Sequence, residues 1–409
     1  MIGTLFSLAI AIFLFFRPLP DESLGESSGL LATILIVVSS LFIIIQTLIT
    51  VFAWGPLQKN EQNFTPRLME SFKRDRNLRF TNLLLLCFLL FTYLIIVDIH
   101  FFHIFKQNHL LIAWTLFLGV SLDFLHHHLK RVMDYMDPFH VVDFFSDEAQ
   151  ECVRNEEVEK LCDWIDTLSE TTIKAITRNS TSLALSALDK LRLLARNYLG
   201  VAKGITYHED EEESTTEEGH VNHVSYTLFY LFQRFELIFD KALEQKLEPI
   251  CSNIITILGK IAIYGAKYDI TMASYPLHYL GKLAKRAQKA GMQEVGNRAT
   301  LTLLEVSKVI IEEINIEYVE IKDPFLSIIN YMHEIAKDTF RKDRTINLKV
   351  VAQPFYDLKE LFKNEKVAAH RDTETIILSI DRVLDEFSTL ETVLQTIPPI
   401  PKVVKEKSS

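Results

Sequence analysis

Residues 30–54 read LLATILIVVSSLFIIIQTLITVFAW, a stretch of 25 residues without a charged side chain. As an α-helix rising ~1.5 Å per residue it would extend roughly 37 Å, more than the ~30 Å hydrocarbon core of a bilayer. A helix that is apolar on every side has to be buried on every side. We therefore predict that this stretch crosses a membrane and that the rest of the chain is arranged around it.

Three further apolar stretches complete a predicted transmembrane domain over residues 1–136; they are residues 2–16, 82–105 and 110–125. The first stretch is short for a span, and a cleaved signal peptide is the alternative. Its start lacks the Lys or Arg of a signal peptide, however, and Asp21 and Glu22 lie where cleavage would occur. The short link 106–109 predicts that the last two spans form an antiparallel hairpin.

The polar segment 55–81 predicts the orientation of the spans because it is far more basic than the other short loops. The positive-inside rule places such a segment in the cytoplasm, which puts both termini of a cell (inner) membrane protein on the cytoplasmic side. Four of its basic residues are predicted to contact lipid head groups or to act only as an orientation signal: Lys73, Arg74, Arg76 and Arg79.

Two features of the spans predict helix packing. Gly3, Ser7 and Ala11 recur every four residues and share one helix face, the small-residue pattern that lets membrane helices approach closely. Gln46 is the strongly polar residue of the second span, and we expect it to hydrogen-bond a neighbouring helix.

Ionisable residues at membrane depth are candidates for proton or metal handling. Six of them lie in the last two spans or at their ends: Asp98, His100, His103, Asp123, His126 and His127. Because these spans run in opposite directions, the first three residues are expected near the outer surface and the last three near the inner one. This separation favours interfacial or structural roles over a shared metal site, and the sequence predicts no cofactor.

The remainder of the chain has helical periodicity without strand signals, so the predicted fold class is all-α: four transmembrane helices followed by a cytoplasmic domain of helical hairpins, either a bundle or an α-solenoid. The predicted parts are a helical stalk or hairpin at 137–204, an acidic disordered loop at 205–223, a helical domain at 224–397 and a tail at 398–409. Gly200 is predicted to end the last stalk helix.

Four common nucleotide-binding or catalytic motifs are absent from the sequence: GxxxxGK[ST], GxGxxG, GxSxG and HExxH. The net charge of -10 argues against a nucleic-acid partner, and the four widely spaced cysteines against a Cys/His metal site. The leading hypothesis is a non-enzymatic, membrane-anchored scaffold that binds a protein partner or copies of itself. The alternatives are a homo-oligomeric channel or transporter subunit and, behind it, a membrane metalloenzyme.

Overall fold

The computed structural model describes the backbone of residues 2–16, 21–102, 106–209, 217–314, 319–344 and 346–396. Within these ranges the chain is helical between short turns, with no strand, and the predicted all-α class is confirmed. The chain divides into two compact units, Met1–Phe144 and Phe145–Ser409. This division lies a few residues beyond the boundary predicted after residue 136.

The first unit contains α1 Ile2–Phe16, α2 Asp21–Asn63, α3 Leu68–Arg74, α4 Arg76–Val97 and α5 Gln107–Met136; a π-helical turn, Asp98–Phe102, follows α4, and α6, Pro138–Arg154, begins just after α5. Three stretches here are long and apolar enough to cross a membrane: Gly29–Asn63, Arg76–Val97 and Asn108–Met136. Helix α1 is apolar but shorter.

The sequence predicts a polar loop at 55–81, with an interfacial helix at 64–80 as the alternative. The prediction of a loop is wrong, because helices occupy most of this segment. Helix α2 continues past Trp54 and through Pro56, since its polar end still packs against the rest of the unit. Leu57 is fully buried, and the side-chain amide of Asn60 donates to the carbonyl of Met136 at 2.7 Å. The turn before α3 includes Arg67 in the left-handed region, at φ 60°.

An aromatic cluster forms the centre of the first unit. Phe88 of α4 is 1% exposed, and its ring centroid lies 5.4 Å from that of Phe42 on α2 and 5.8 Å from that of Trp114 on α5. The indole N–H of Trp114 donates to the hydroxyl of Thr92 on α4 at 3.0 Å, so the buried polar tip is satisfied. These contacts hold α2, α4 and α5 together.

The second unit contains α7 Val158–Thr177, α8 Thr181–Glu209, α9 Glu217–Glu244, α10 Glu248–Tyr268, α11 Ser274–Lys289, α12 Gln293–Glu313, α13 Lys322–Lys342, α14 Leu348–Leu361, α15 Glu365–Ala368 and α16 Thr373–Thr396. From α7 to α14 each helix packs against its successor and the helix after that, and α16 takes the place of the short α15 against α13 and α14. This pattern is that of a helical repeat. One layer consists of α7, α9, α11, α13 and α16, and the other of α8, α10, α12 and α14.

Four hairpin turns of this unit have the same geometry. Each contains one residue with positive φ, namely Glu156, Asn179, Lys246 or Gly291. At the last of them the N–H of Met292 donates to the carbonyl of Ala287 at 3.0 Å, and that of Gly291 to Gln288 at 2.9 Å, which is a Schellman motif. Glycine, the favoured residue for this conformation, occupies one of the four positions.

Two boundaries in the second unit differ from the prediction. Gly200 does not end its helix, because α8 continues to Glu209. Helices α8 and α9 also enter the predicted acidic loop from both sides, while residues 210–216, like the predicted tail 398–409, lie outside the described residues.

Helix α10 is a fourth helix long and apolar enough to cross a membrane, which the sequence did not predict. Its apolar residues have another explanation in the structure. Ile254, Ile255 and Leu258 are fully buried, since α10 packs against α8, α9, α11 and α12. A helix surrounded by other helices becomes apolar on most sides without meeting lipid.

Candidate functional site

Asp123 on α5 caps the beginning of α1. One carboxylate oxygen accepts the N–H of Gly3 at 2.9 Å, and the other accepts the N–H of Thr4 at 3.0 Å and its hydroxyl at 2.8 Å. The first N–H groups of a helix have no partner within the helix, and a carboxylate there is also favoured by the helix dipole. The charge of this predicted proton or metal candidate therefore serves to join two helices.

The small-residue face of α1 packs against α5 of the same chain. Ser7 and Ala11 are each 4% exposed, and a Cβ built on Gly3 would lie 2.9 Å from the carbonyl oxygen of Gly119. A Cβ on Gly119 would clash with the Ser7 hydroxyl and lie 2.7 Å from the carbonyl oxygen of Gly3. In a homo-oligomeric channel this face of α1 would pack between copies of the chain, but here it packs against another helix of the same chain.

The structure describes only part of the ionisable group predicted near the outer surface, which is Asp98, His100 and His103. Asp98 is buried, at 9% exposure, and begins the π-helical turn that ends α4. His100 lies in that turn, but its side chain is outside the described part of the structure, as is the whole of His103.

The predicted histidines of α5 point away from the core, while their neighbour does not. His126 and His127 are exposed, whereas His128 is 2% exposed and neither of its ring nitrogens has a hydrogen-bond partner among the described residues. The sequence signal for the burial of His128 was its spacing. His128 lies seven residues after Ser121 and seven before Tyr135, so the three residues share the buried face of α5. Within the described ranges no three His, Cys, Asp or Glu side chains could hold a metal ion.

Gln46 bonds the neighbouring helix α4. Its side-chain amide donates to the side-chain oxygen of Asn82 at 2.6 Å. An amide pair of this kind links two apolar helices through their side chains, and Asn82 is the partner that the sequence did not identify.

A buried acidic residue, Asp75, organises the junction of α3 and α4. One carboxylate oxygen accepts the N–H of Asn77 at 2.8 Å and caps α4. The other accepts from Arg131 Nε at 3.0 Å and from the Tyr135 hydroxyl at 2.9 Å, both on α5. Burial by itself would raise the pKa of Asp75, but the hydrogen bonds from Arg131, Tyr135 and Asn77 outweigh it and hold the pKa below its ordinary value.

The four basic residues predicted to meet lipid head groups surround this junction and are all exposed. The Lys73 ammonium lies 5.5 Å from the centroid of the Trp54 ring, and Arg79 Nε donates to the carbonyl of Lys73 at 3.0 Å. Arg74 and Arg76 flank Asp75 directly. The buried carboxylate thus fixes the backbone from which these cations project.

An exposed aromatic surface lies on α9 and α11 of the second unit. Tyr226, Phe229 and Tyr275 are 57%, 48% and 54% exposed. The ring centroid of Phe229 lies 6.4 Å from that of Tyr279 on α11, so the two helices share one aromatic surface. Exposed aromatic side chains are typical of the centres of protein interfaces.

Ion pairs link the helices of this same layer. They are Lys282–Glu236 at 2.8 Å, Lys285–Glu334 at 2.7 Å and Lys337–Glu386 at 2.7 Å. Each is partly exposed and contributes little to stability alone, but together they join α9, α11, α13 and α16 in series.

The cysteines are free thiols. Burial raises the pKa of Cys251 to about 12, and it also raises the pKa values of Cys152 and Cys162, so these three thiols stay protonated at neutral pH. A reactive cysteine needs the opposite shift.

No known protein family and no curated protein matches this sequence. Among solved structures the chain is similar to a circular tandem repeat protein with novel repeat topology and enhanced subunit contact surfaces, at 14% identity and a TM-score of 0.40 over 92% of this chain and 89% of that one. It is also similar to a DHF58 filament, at 14% identity and a TM-score of 0.22 over 62% of this chain and 97% of that one.

Replacing Gly119 by Ala should loosen α1 from α5. The new methyl group has no room beside Ser7 and Gly3, and overpacking of this kind costs about 1–3 kcal/mol. Thermal unfolding of the full chain in detergent should show a lower midpoint for Gly119→Ala. Gly55→Ala is the matched control, because nothing lies within 4 Å of a Cβ there. Equal midpoints for both variants and the wild type would contradict the packing described.

Replacing Asp75 by Asn should keep the cap of α4 but remove the charge that faces Arg131, at a cost of about 1–2 kcal/mol at pH 7. Because the pKa of Asp75 is lowered on folding, its stabilisation is complete above the ordinary pKa of ~4 and is lost as the pH falls below that value. Unfolding in detergent at a series of pH values should show wild type and variant converging in acid. The exposed carboxylate Glu70, changed to Gln, is the control, and a pH-independent difference would refute the role of the charge.

Proposed function

We propose that this chain is a multi-pass membrane protein that anchors a helical-repeat interaction domain on the cytoplasmic side. The proposal rests on how the exposed large apolar side chains are distributed between the two units. In the first unit they cover the outward faces of the apolar helices, both the short α1 and the long ones. For example, Phe6, Phe52 and Leu94 are 68%, 72% and 68% exposed. Among the described residues of the second unit, exposed large apolar side chains are few and scattered apart from the aromatic surface of α9 and α11.

Water does not favour such an exterior. Burying apolar surface is worth roughly 25 cal/mol per Å², so a unit with apolar outer faces is stabilised by a hydrocarbon surrounding. The unit also uses the devices expected in lipid, since Asp123 satisfies the N–H groups at the start of α1 and Gln46 pairs with Asn82. The basic residues of 55–81 support a cytoplasmic position for the α3–α4 junction.

An interaction role for the second unit is supported by its form and its surface. A helical repeat presents an extended surface, and the exposed aromatic residues Tyr226, Phe229 and Tyr275 are the part of it with the composition of an interface. The proposed partner is another protein or a second copy of the chain. The proposal is non-enzymatic, because the sequence has no catalytic motif.

The membrane assignment predicts two results for the native protein. It should remain in the membrane fraction after alkaline carbonate treatment and be released by detergent, as expected for a chain with apolar helices in the bilayer. A C-terminal epitope should resist protease added to intact spheroplasts and be cleaved in inverted vesicles, with detergent-permeabilised samples as the control. Release by carbonate, or cleavage of the epitope from outside, would overturn the assignment.

The interaction role predicts position-specific crosslinking in native membranes. A photo-crosslinking residue at Phe229 should yield a discrete larger species, because that position lies in the aromatic surface. The same residue at Leu301, which is 58% exposed on the other layer, is the control and should yield none. Mass spectrometry of the product distinguishes a second copy from another protein, and the absence of a product at Phe229, or identical products at both positions, would contradict the role.

A further inference from the structure

An apolar groove lies between α2 and α5 in the first unit. It encloses about 290 Å³, and every residue that lines it is apolar. Ala53 and Val132 form its floor, at 0% and 1% exposure, whereas Phe52 and Met133 form its rims, at 72% and 61%. The groove is therefore deep on one side and open on the other, along the same apolar exterior that the proposed function places in lipid.

The length of the groove matches one lipid chain in one leaflet. Along α2 it extends from Ile45 to Ala53, which at ~1.5 Å per residue is about 12 Å. Half of a hydrocarbon core of ~30 Å is about 15 Å. The groove lies at the end of α2 that leads towards the basic segment, and the Asn60 side chain, which donates to the carbonyl of Met136 at 2.7 Å, lies just beyond it.

A cation lies beyond this end of the groove. Lys59 is exposed and lies seven residues after Phe52, so it projects from the same face of α2 two turns further on. Among the described residues Lys59 has no ion-pair partner. An apolar groove that ends beside such a lysine has the chemistry of an anionic lipid site.

We propose that this groove binds one acyl chain of an anionic glycerophospholipid from the cytoplasmic leaflet, whose phosphate contacts Lys59. The inference rests on the proposed membrane function and adds a specific ligand to it. A second copy of the chain is the less favourable occupant, because it would bring the same positive charge to the same place. The neutral phosphatidylcholine would gain the apolar contacts but not the full charge attraction.

The head-group part of the proposal is tested by lipid titration of the delipidated, detergent-solubilised full chain, followed by native mass spectrometry. Phosphatidylglycerol and phosphatidylcholine with identical palmitoyl-oleoyl chains are the two probes. Phosphatidylglycerol should bind more tightly to the wild type, and Lys59→Gln should weaken its binding about fivefold, the effect expected for one basic residue at a membrane surface. Binding of phosphatidylcholine should not change. Lys260→Gln removes the same charge from an exposed position in the second unit and should leave both affinities unchanged.

The acyl-chain part is tested by filling the groove. Ala53→Leu extends the floor into the groove and should weaken both lipids, whereas Val51→Leu, on an exposed position outside the lining, should weaken neither. If Ala53→Leu does not fold, Met133→Trp at the exposed rim provides the same test. Equal binding of the two lipids, with no effect of Lys59→Gln, in a protein that resists carbonate would overturn this inference and leave the membrane function standing. Release by carbonate would overturn the proposed function itself.

Discussion

The first unit depends on one constraint, which is that buried backbone and side-chain polar groups need hydrogen-bond partners within the protein. Asp123 provides partners for the first N–H groups of α1, which have none within their own helix. Hydroxyl groups within the helices bond back to the carbonyl four residues earlier, as Ser39 does to Leu35 at 2.6 Å and Thr92 to Phe88 at 2.9 Å. Polar residues in these helices thus serve the helices themselves before any transport or catalysis is considered. Ser121 and His128 are exceptions, since the hydroxyl of Ser121 and the ring nitrogens of His128 are buried without a described partner.

The second unit solves a different problem, which is how to build a core from helices that individually cannot bury their apolar faces. Each helix is covered by its neighbours in sequence, so α10 is almost as apolar as a membrane span while remaining inside a helical repeat. The same apolar composition therefore occurs in two kinds of helix, those covered by other helices and those with exposed apolar faces. Ile254 and Leu258 are fully buried by protein, whereas Phe52 and Leu94 are not.

Helical periodicity was enough to predict most helices, because each has an apolar stripe and many begin or end at Pro or Gly. It failed where an element's end depends on tertiary contacts. Helix α2, for example, continues past Trp54 because Leu57 is buried and the side chain of Asn60 donates to the carbonyl of Met136. The roles of Asp75 and Asp123 could not be predicted, since their partners are distant in sequence. Gly3, Ser7 and Ala11 were visible as a face, but the complementary Gly119 was recognisable only once α1 and α5 were paired.

The helical repeat also determines how this unit can form during synthesis. Because each helix contacts the next two, most tertiary contacts join residues close in sequence, and topologies of that kind fold quickly with little loop-closure entropy. The four Schellman turns form through local hydrogen bonds alone, which do not depend on later helices. Each hairpin of the second unit that leaves the ribosome can therefore dock on the hairpins already formed before it.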